Sequence, residues 1–379
     1  MVGLNTRPQM LRFCLVLLLG VGTGFVATAK AAEPDLEEMF DRGFRFLASA
    51  QNEKGQISPR IGSGVTALAV TAAIRHGVEL DEPHLAMALK AIEGFVHPDG
   101  GIYGNDRLRN YETCVCIVAL SEANKKAGDK RYDTILKNAD KFLRGLQIGE
   151  AGNVDKDDPR FGGVGYGGPE RPDLSNTAYF IEALKSLDTP ADDPAIQRAL
   201  VFVSRCQNLK GQWNDTKFGP LVDDGGFYYL IPTQNADPKD KDQYTENGGL
   251  RSSGSMTYAG FKSLVYAGLT KTDPRTEAAV KWIGNNYSVS KNPGQGTAGL
   301  FYYYQLFGSA LAASQMEKVA TKEGEQDWRK DLIAQLAKTQ QADGSWVNTN
   351  RAFMENDSNL CTAFALLALT YCADQPSGK

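Results

Sequence analysis

The stretch Leu336-x3-Gln340-x3-Gly344-Ser345-Trp346, followed by Thr362-Ala363-Phe364-Ala365-Leu366-Leu367-Ala368-Leu369-Thr370, decides the fold because it is not unique in the chain. Its second half recurs as Thr66-Ala67-Leu68-Ala69-Val70, Thr113-Cys114-Val115-Cys116-Ile117, Thr177-Ala178-Tyr179-Phe180-Ile181 and Thr257-Tyr258-Ala259-Gly260-Phe261. In a further copy Tyr304 stands where the threonine would be. Six residues on, every copy carries a small residue: Ala72, Ala119, Ala183, Ser263, Ala310 and Ala368. A phrase repeated at this period is the mark of stacked supersecondary units, each burying its neighbour's apolar face.

Each unit reads as two helices joined by a glycine-bearing turn. The first half returns as Leu47-x3-Gln51-x3-Gly55-Gln56-Ile57 and as Val203-x3-Gln207-x3-Gly211-Gln212-Trp213. The second unit keeps Asp99-Gly100-Gly101-Ile102-Tyr103; the third and fifth reach Gly163-Val164-Gly165-Tyr166 and Gly299-Leu300-Phe301 after insertions. Glycine ends the helix and reverses the chain, and the glutamine is placed to reach carbonyls left unpaired at that helix end. The threonine-led helices are apolar all round and must be buried, whereas segments such as Trp328 to Lys338 are charged on one side and face water. Six outer and six inner helices predict an all-α, α6/α6 toroid. No polar capping unit of the kind an open solenoid needs stands at either end.

These phrases resemble the repeats of the squalene/terpenoid cyclase and protein prenyltransferase superfamily, including prenyltransferase/squalene oxidase repeat proteins. The resemblance spans residues 36–372 and rests on the Gln-x3-Gly-x-Trp turn together with the inner-helix phrase. It implies a toroid whose central cavity opens at the N-termini of the inner helices. Proton-initiated cyclases of that superfamily carry Asp-x-Asp-Asp-Thr-Ala at the head of an inner helix. The matching stretch here is Asp173-Leu174-Ser175-Asn176-Thr177-Ala178, with Ser175 at the proton donor's place. A literal Asp155-Lys156-Asp157-Asp158 lies in a polar insertion well before that helix and reads as a solvated loop. The zinc-ligand positions of the prenyltransferases fall on Ala298, Leu300 and Cys361, so no metal and no cofactor is expected.

Composition narrows the remaining choices. Lys and Arg number 41 against 45 Asp and Glu, with no basic block, which argues against a nucleic-acid partner. Residues 1–31, with Arg7 and Arg12 before an apolar Phe13–Val26 and Ala29-Lys30-Ala31 behind it, read as a cleaved signal peptide. Residues 32–379 are then expected to form one toroid domain, exported to the periplasm or beyond the cell, with no membrane span after cleavage. The cysteines of the mature part lack a C-x-x-C pair and sit in apolar phrases, as core residues do.

Candidate site residues lie where the inner helices begin. Glu112, Asp173 and Asp357 each precede or open an inner helix; helix capping is the plain reading, and paired acid–base chemistry on glycans is a second one. Tyr258, Tyr303 and Tyr304, on the inner helices themselves, are the tyrosines expected to line the cavity together with Ser175 and Asn176. Three functions follow: a non-catalytic module binding an apolar or aromatic-stacking ligand, or a protein at the rim loops; a terpenoid cyclase or prenyltransferase-like enzyme with altered acid chemistry; or a carbohydrate-active toroid using rim carboxylates. Whether any reaction is catalysed stays open at this level.

Overall fold

The computed structural model describes residues 34–373 apart from 153, 168–170 and 233–242. The expected signal peptide and part of the insertion before the fourth threonine lie outside the described residues.

Among the described residues, twelve longer helices alternate between two concentric layers. The outer ones are α1 (Leu36–Ser49), α3 (Pro83–Glu93), α5 (Asp133–Leu146), α7 (Pro194–Arg205), α9 (Pro274–Asn285) and α11 (Trp328–Thr339). The inner ones are α2 (Gly64–His76), α4 (Arg109–Ala127), α6 (Leu174–Ser186), α8 (Gly254–Tyr266), α10 (Leu300–Ala313) and α12 (Ser358–Thr370). Each inner helix packs on the next, and α12 packs back on α2, so the ring is closed. A short antiparallel hairpin, Val319–Thr321 with Gly324–Gln326, is added between α10 and α11. Among the described residues no helix is long and apolar enough to cross a membrane.

The repeated residues turn out to be joints between units. Each repeat threonine turns its hydroxyl outward and accepts a backbone N–H from the turn of its own unit. The donors are Ile57 to Thr66, Ile102 to Thr113, Val164 to Thr177, Phe227 to Thr257 and Trp346 to Thr362, all at 3.0–3.1 Å. These amides are buried, and an unpaired buried amide would cost about 1–3 kcal/mol. Tyr304, in the threonine's place, reaches further and donates its hydroxyl to the Val289 carbonyl at 2.8 Å.

The glutamines bind differently from the sequence expectation. Rather than capping its own helix end, each bridges its turn to the first turns of the next outer helix. Gln51 donates to Gly55 and His84 carbonyls, Gln147 to Gly162 and Ala195, and Gln207 to Gly225 and Arg275. Gln340 donates to the carbonyl of Gly344 and, at 2.9 Å, to that of Met39, and so latches the last unit onto the first. Gly344 has φ +91° and lies against the backbone of Arg42, where a Cβ has no room.

The fourth unit also corrects the reading of Gly211 and Trp213 as its turn. Gln207 pairs with Gly225, and Phe227 occupies the aromatic place. Residues 208–224 are an insertion within the turn, which the chance recurrence of Gly-x-Trp concealed. Trp213 instead lies under the Arg275 guanidinium, 5.1 Å from its ring centre.

Candidate functional site: a divided cavity at the ring mouth

The threonine register also sets what faces the ring axis. At 3.6 residues per turn, a residue two positions away lies about 200° round the helix. Because each threonine points out to its turn, the residue two before it points in. Those residues are Gly64, Tyr111, Ser175, Ser255, Tyr302 and Leu360. Five of them line one cavity of about 200 Å³, and Ser255 lines a second of about 340 Å³.

The first cavity is walled by aliphatic groups, Ile61, Val65, Leu108 and Leu360, and by the rings of Tyr111, Tyr179, Tyr302 and Phe364. Tyr179 meets Tyr111 edge-on at 5.0 Å and stacks towards Tyr302 at 6.3 Å, which makes a continuous aromatic floor. Polar groups on this wall are few. The Ser175 and Tyr302 hydroxyls bond each other at 2.8 Å, and Asn176 adds an amide already engaged by Asp173 and Asn110. Burial raises the pKa of the Tyr111, Tyr179 and Tyr302 phenols, so they stay protonated as hydroxyls. No carboxylate, histidine or cysteine is among the described lining residues.

Phe353 and Met354 form the outer edge. Both are left-handed (φ 60°) and both are 45% exposed, as is Tyr166 across the mouth. Two non-glycine residues held in that conformation store about 1–3 kcal/mol each, a pattern that gathers at ligand clamps. The Phe353 ring stacks on Tyr302 at 5.9 Å and rests on Gly299, whose missing Cβ leaves it room.

The rim carboxylates are committed to backbone amides. Asp173 caps α6, taking the Asn176 amide N–H at 2.8 Å and the Asn176 side chain, also at 2.8 Å. Burial lifts its pKa to about 6 against the opposing pull of those donors and of the nearby Tyr229 hydroxyl. Glu112 caps the neighbouring helix, not its own: its Oε2 accepts from the Ser63 amide and hydroxyl and from the Gly104 amide. Burial raises its pKa too, with the same amides opposing. Asp357 caps α12 through the Asn359 and Leu360 amides and binds Ser58. Glu355, which the sequence reading missed, does for α10 what Glu112 does for α2, accepting from the Leu300 and Tyr302 amides at 2.8 Å. None of the four lines either cavity.

Tyr258, Tyr303 and Tyr304 correct the expectation in the other direction. They lie one residue after, one before and at the register position, so they point between helices and are at most 1% exposed. Ser175 and Asn176 line the first cavity. The Cys361 thiol, at a zinc-ligand position of the superfamily, donates to the Glu355 carbonyl.

Below the aromatic floor the axis becomes charged. Lys262 pairs with Glu182 at 2.8 Å, and Arg75 pairs with Glu122 at 2.9 Å and donates to the Tyr371 hydroxyl at 2.6 Å. Tyr179 separates this layer from the cavity above it.

This architecture is that of a closed α/α toroid. No protein-family model matches the sequence, and no curated protein matches it either. Similar solved structures include the type II terpene cyclase MstE from Scytonema, in complex with geranylgeranyl dihydroxybenzoate. It is 15% identical, with TM-score 0.50, over 89% of this chain and 97% of that one. A structure described as a novel alpha-amylase from Clostridium perfringens aligns at TM-score 0.56 and 13% identity, over 88% of this chain and 97% of that one. A glycosidase aligns at 0.52 and 11%, over 89% and 96%. At these identities the likeness is one of fold.

Proposed function

We propose that this chain is an exported toroid that binds an apolar or aromatic-stacking small molecule at the ring mouth without transforming it. The observation that carries this reading is the wall of the first cavity: aliphatic groups and tyrosine faces, with no acid or base among its described residues. Binding sites for small molecules are of this kind, apolar with a few placed polar groups. The structural neighbour MstE is seen with a prenylated arene, which supports the ligand class. The sequence of residues 1–31 supports export.

The enzymatic alternatives need a proton donor, and the available groups do not suit the task. Ser175 occupies the donor position and is engaged with Tyr302. Asp173 has both oxygens taken by donors and lies behind Asn176 and Tyr229. A glycan-cleaving pair would need two carboxyl groups facing substrate, whereas Asp173 and Asp357 are occupied as caps and Glu112, whose Oε2 is a cap and whose Oε1 is buried without a partner, lines neither cavity.

The test is mass spectrometry of ligands co-purifying with the full chain, followed by titration with geranylgeraniol. Val65→Phe places a ring in the cavity and should weaken binding at least tenfold with the fold retained by circular dichroism. Conversion of linear isoprenoids or glucans by the parent protein would overturn the non-catalytic reading.

A further inference from the structure

The second cavity is of different chemistry from the first. It is lined by Arg251, Ser253, Ser255, Gln295 and Met256, with Tyr229 and Phe353 forming a wall common to both cavities. The six register positions place the two cavities around one ring mouth: five open into the apolar chamber and Ser255 into the polar one. Arg251 is the charged residue among the described lining of either chamber, and no described carboxylate pairs with it. Ser253 is 5% exposed, N-caps α8 without making a side-chain capping bond, and turns to the cavity. The N-terminus of α8 borders the same chamber, with its Gly254 and Ser255 amides taken by the Pro293 carbonyl and the Asn292 side chain, so the anion's direct partners are Arg251 and Ser253.

We propose that the ligand is an amphiphile whose single apolar chain fills the aromatic chamber while its anionic head group, a carboxylate or phosphate, sits against Arg251 and Ser253 beyond Phe353. This rests on the apolar-cavity reading above and adds the head-group site. A guanidinium presents a planar fork that matches carboxylate and phosphate oxygens. The apolar chamber holds the chain and leaves the anion outside it, where burial would be costly. Phe353, held in a left-handed conformation at the partition, is the ring under which the chain passes from one chamber to the other.

Calorimetric titration of the full chain with dodecanol, dodecanoate and dodecyl phosphate, each below its micellar concentration, tests this. The parent should bind at least one of the anions about tenfold or more tightly than dodecanol. Arg251→Ala should abolish that preference and leave dodecanol binding unchanged; Arg251→Lys should restore part of it. Because Arg251 is exposed, the variants should melt as the parent does, which a thermal scan verifies. Equal binding of anions and alcohol, or a preference that survives Arg251→Ala, overturns the head-group site while leaving the apolar cavity standing. Dodecanol binding that Val65→Phe fails to weaken sinks the apolar-cavity reading itself, and binding of none of the three sinks both. A stronger response to phosphate than to carboxylate, or the reverse, identifies the head.

Discussion

Replacing Asp173 with asparagine should make the protein less dependent on pH, and the size of the effect follows from burial. In the folded chain the carboxyl group is 2% exposed, and its pKa rises from the ordinary 3.8 to about 6. A folded-state value above the unfolded one means the native protein holds the proton more tightly. Its contribution to stability is therefore full below pH 3.8 and is lost as pH rises through about 6. A gap of about two units at about 1.4 kcal/mol each amounts to roughly 3 kcal/mol. Asparagine caps a helix about as well as aspartate and carries no charge to desolvate, but its amide would face the Asn176 amide that now donates to Asp173, at a cost of about 1 kcal/mol. At pH 4 the variant should thus be slightly less stable than the parent, and at pH 8 more stable by about 2 kcal/mol. Urea unfolding followed by circular dichroism at pH 4, 6 and 8 measures the swing. A difference between variant and parent that stays constant across that range would show that no carboxylate is buried at this joint. A swing of the opposite sign would show that its donors outweigh burial.

Thr362→Val removes the acceptor for the Trp346 amide at nearly constant volume and should cost about 1–3 kcal/mol, read from the urea midpoint; an unchanged midpoint would deny the repeat threonine its role as a joint. Lys262→Met leaves Glu182 without its partner on the ring axis and should destabilise by about 3–5 kcal/mol, whereas the double change with Glu182→Leu should recover most of it. A double variant as unstable as the single one would mean that the pair is not what the charged layer contributes.

Much of the fold was legible because the repeat is a packing requirement written several times over. A helix apolar on all sides must lie inside, and the recurrence of threonine with a small residue six positions later announced one kind of joint. The same threonine also sets the cavity register. Since its hydroxyl points outward, counting two residues back gives Tyr111, Ser175, Tyr302 and Leu360, and two forward gives Tyr179 and Phe364, all cavity residues. Tyr258, Tyr303 and Tyr304, expected in the cavity from their presence on inner helices, fall between helices by the same count.

Other features are decided only when the chain closes. Gly225 and not Gly211 pairs with Gln207 because the turn must meet the next outer helix, and the sequence holds two Gly-x-aromatic phrases at that point without ranking them. Glu112 caps α2 and Glu355 caps α10 because neighbouring units bring those helix ends to them, a relation across the ring that local spacing cannot express. The sequence alone determined the layers and their order, since periodicity and burial are properties of each helix by itself. Tertiary structure determined which polar groups were consumed as joints and which were left facing the mouth, because that depends on how adjacent units meet.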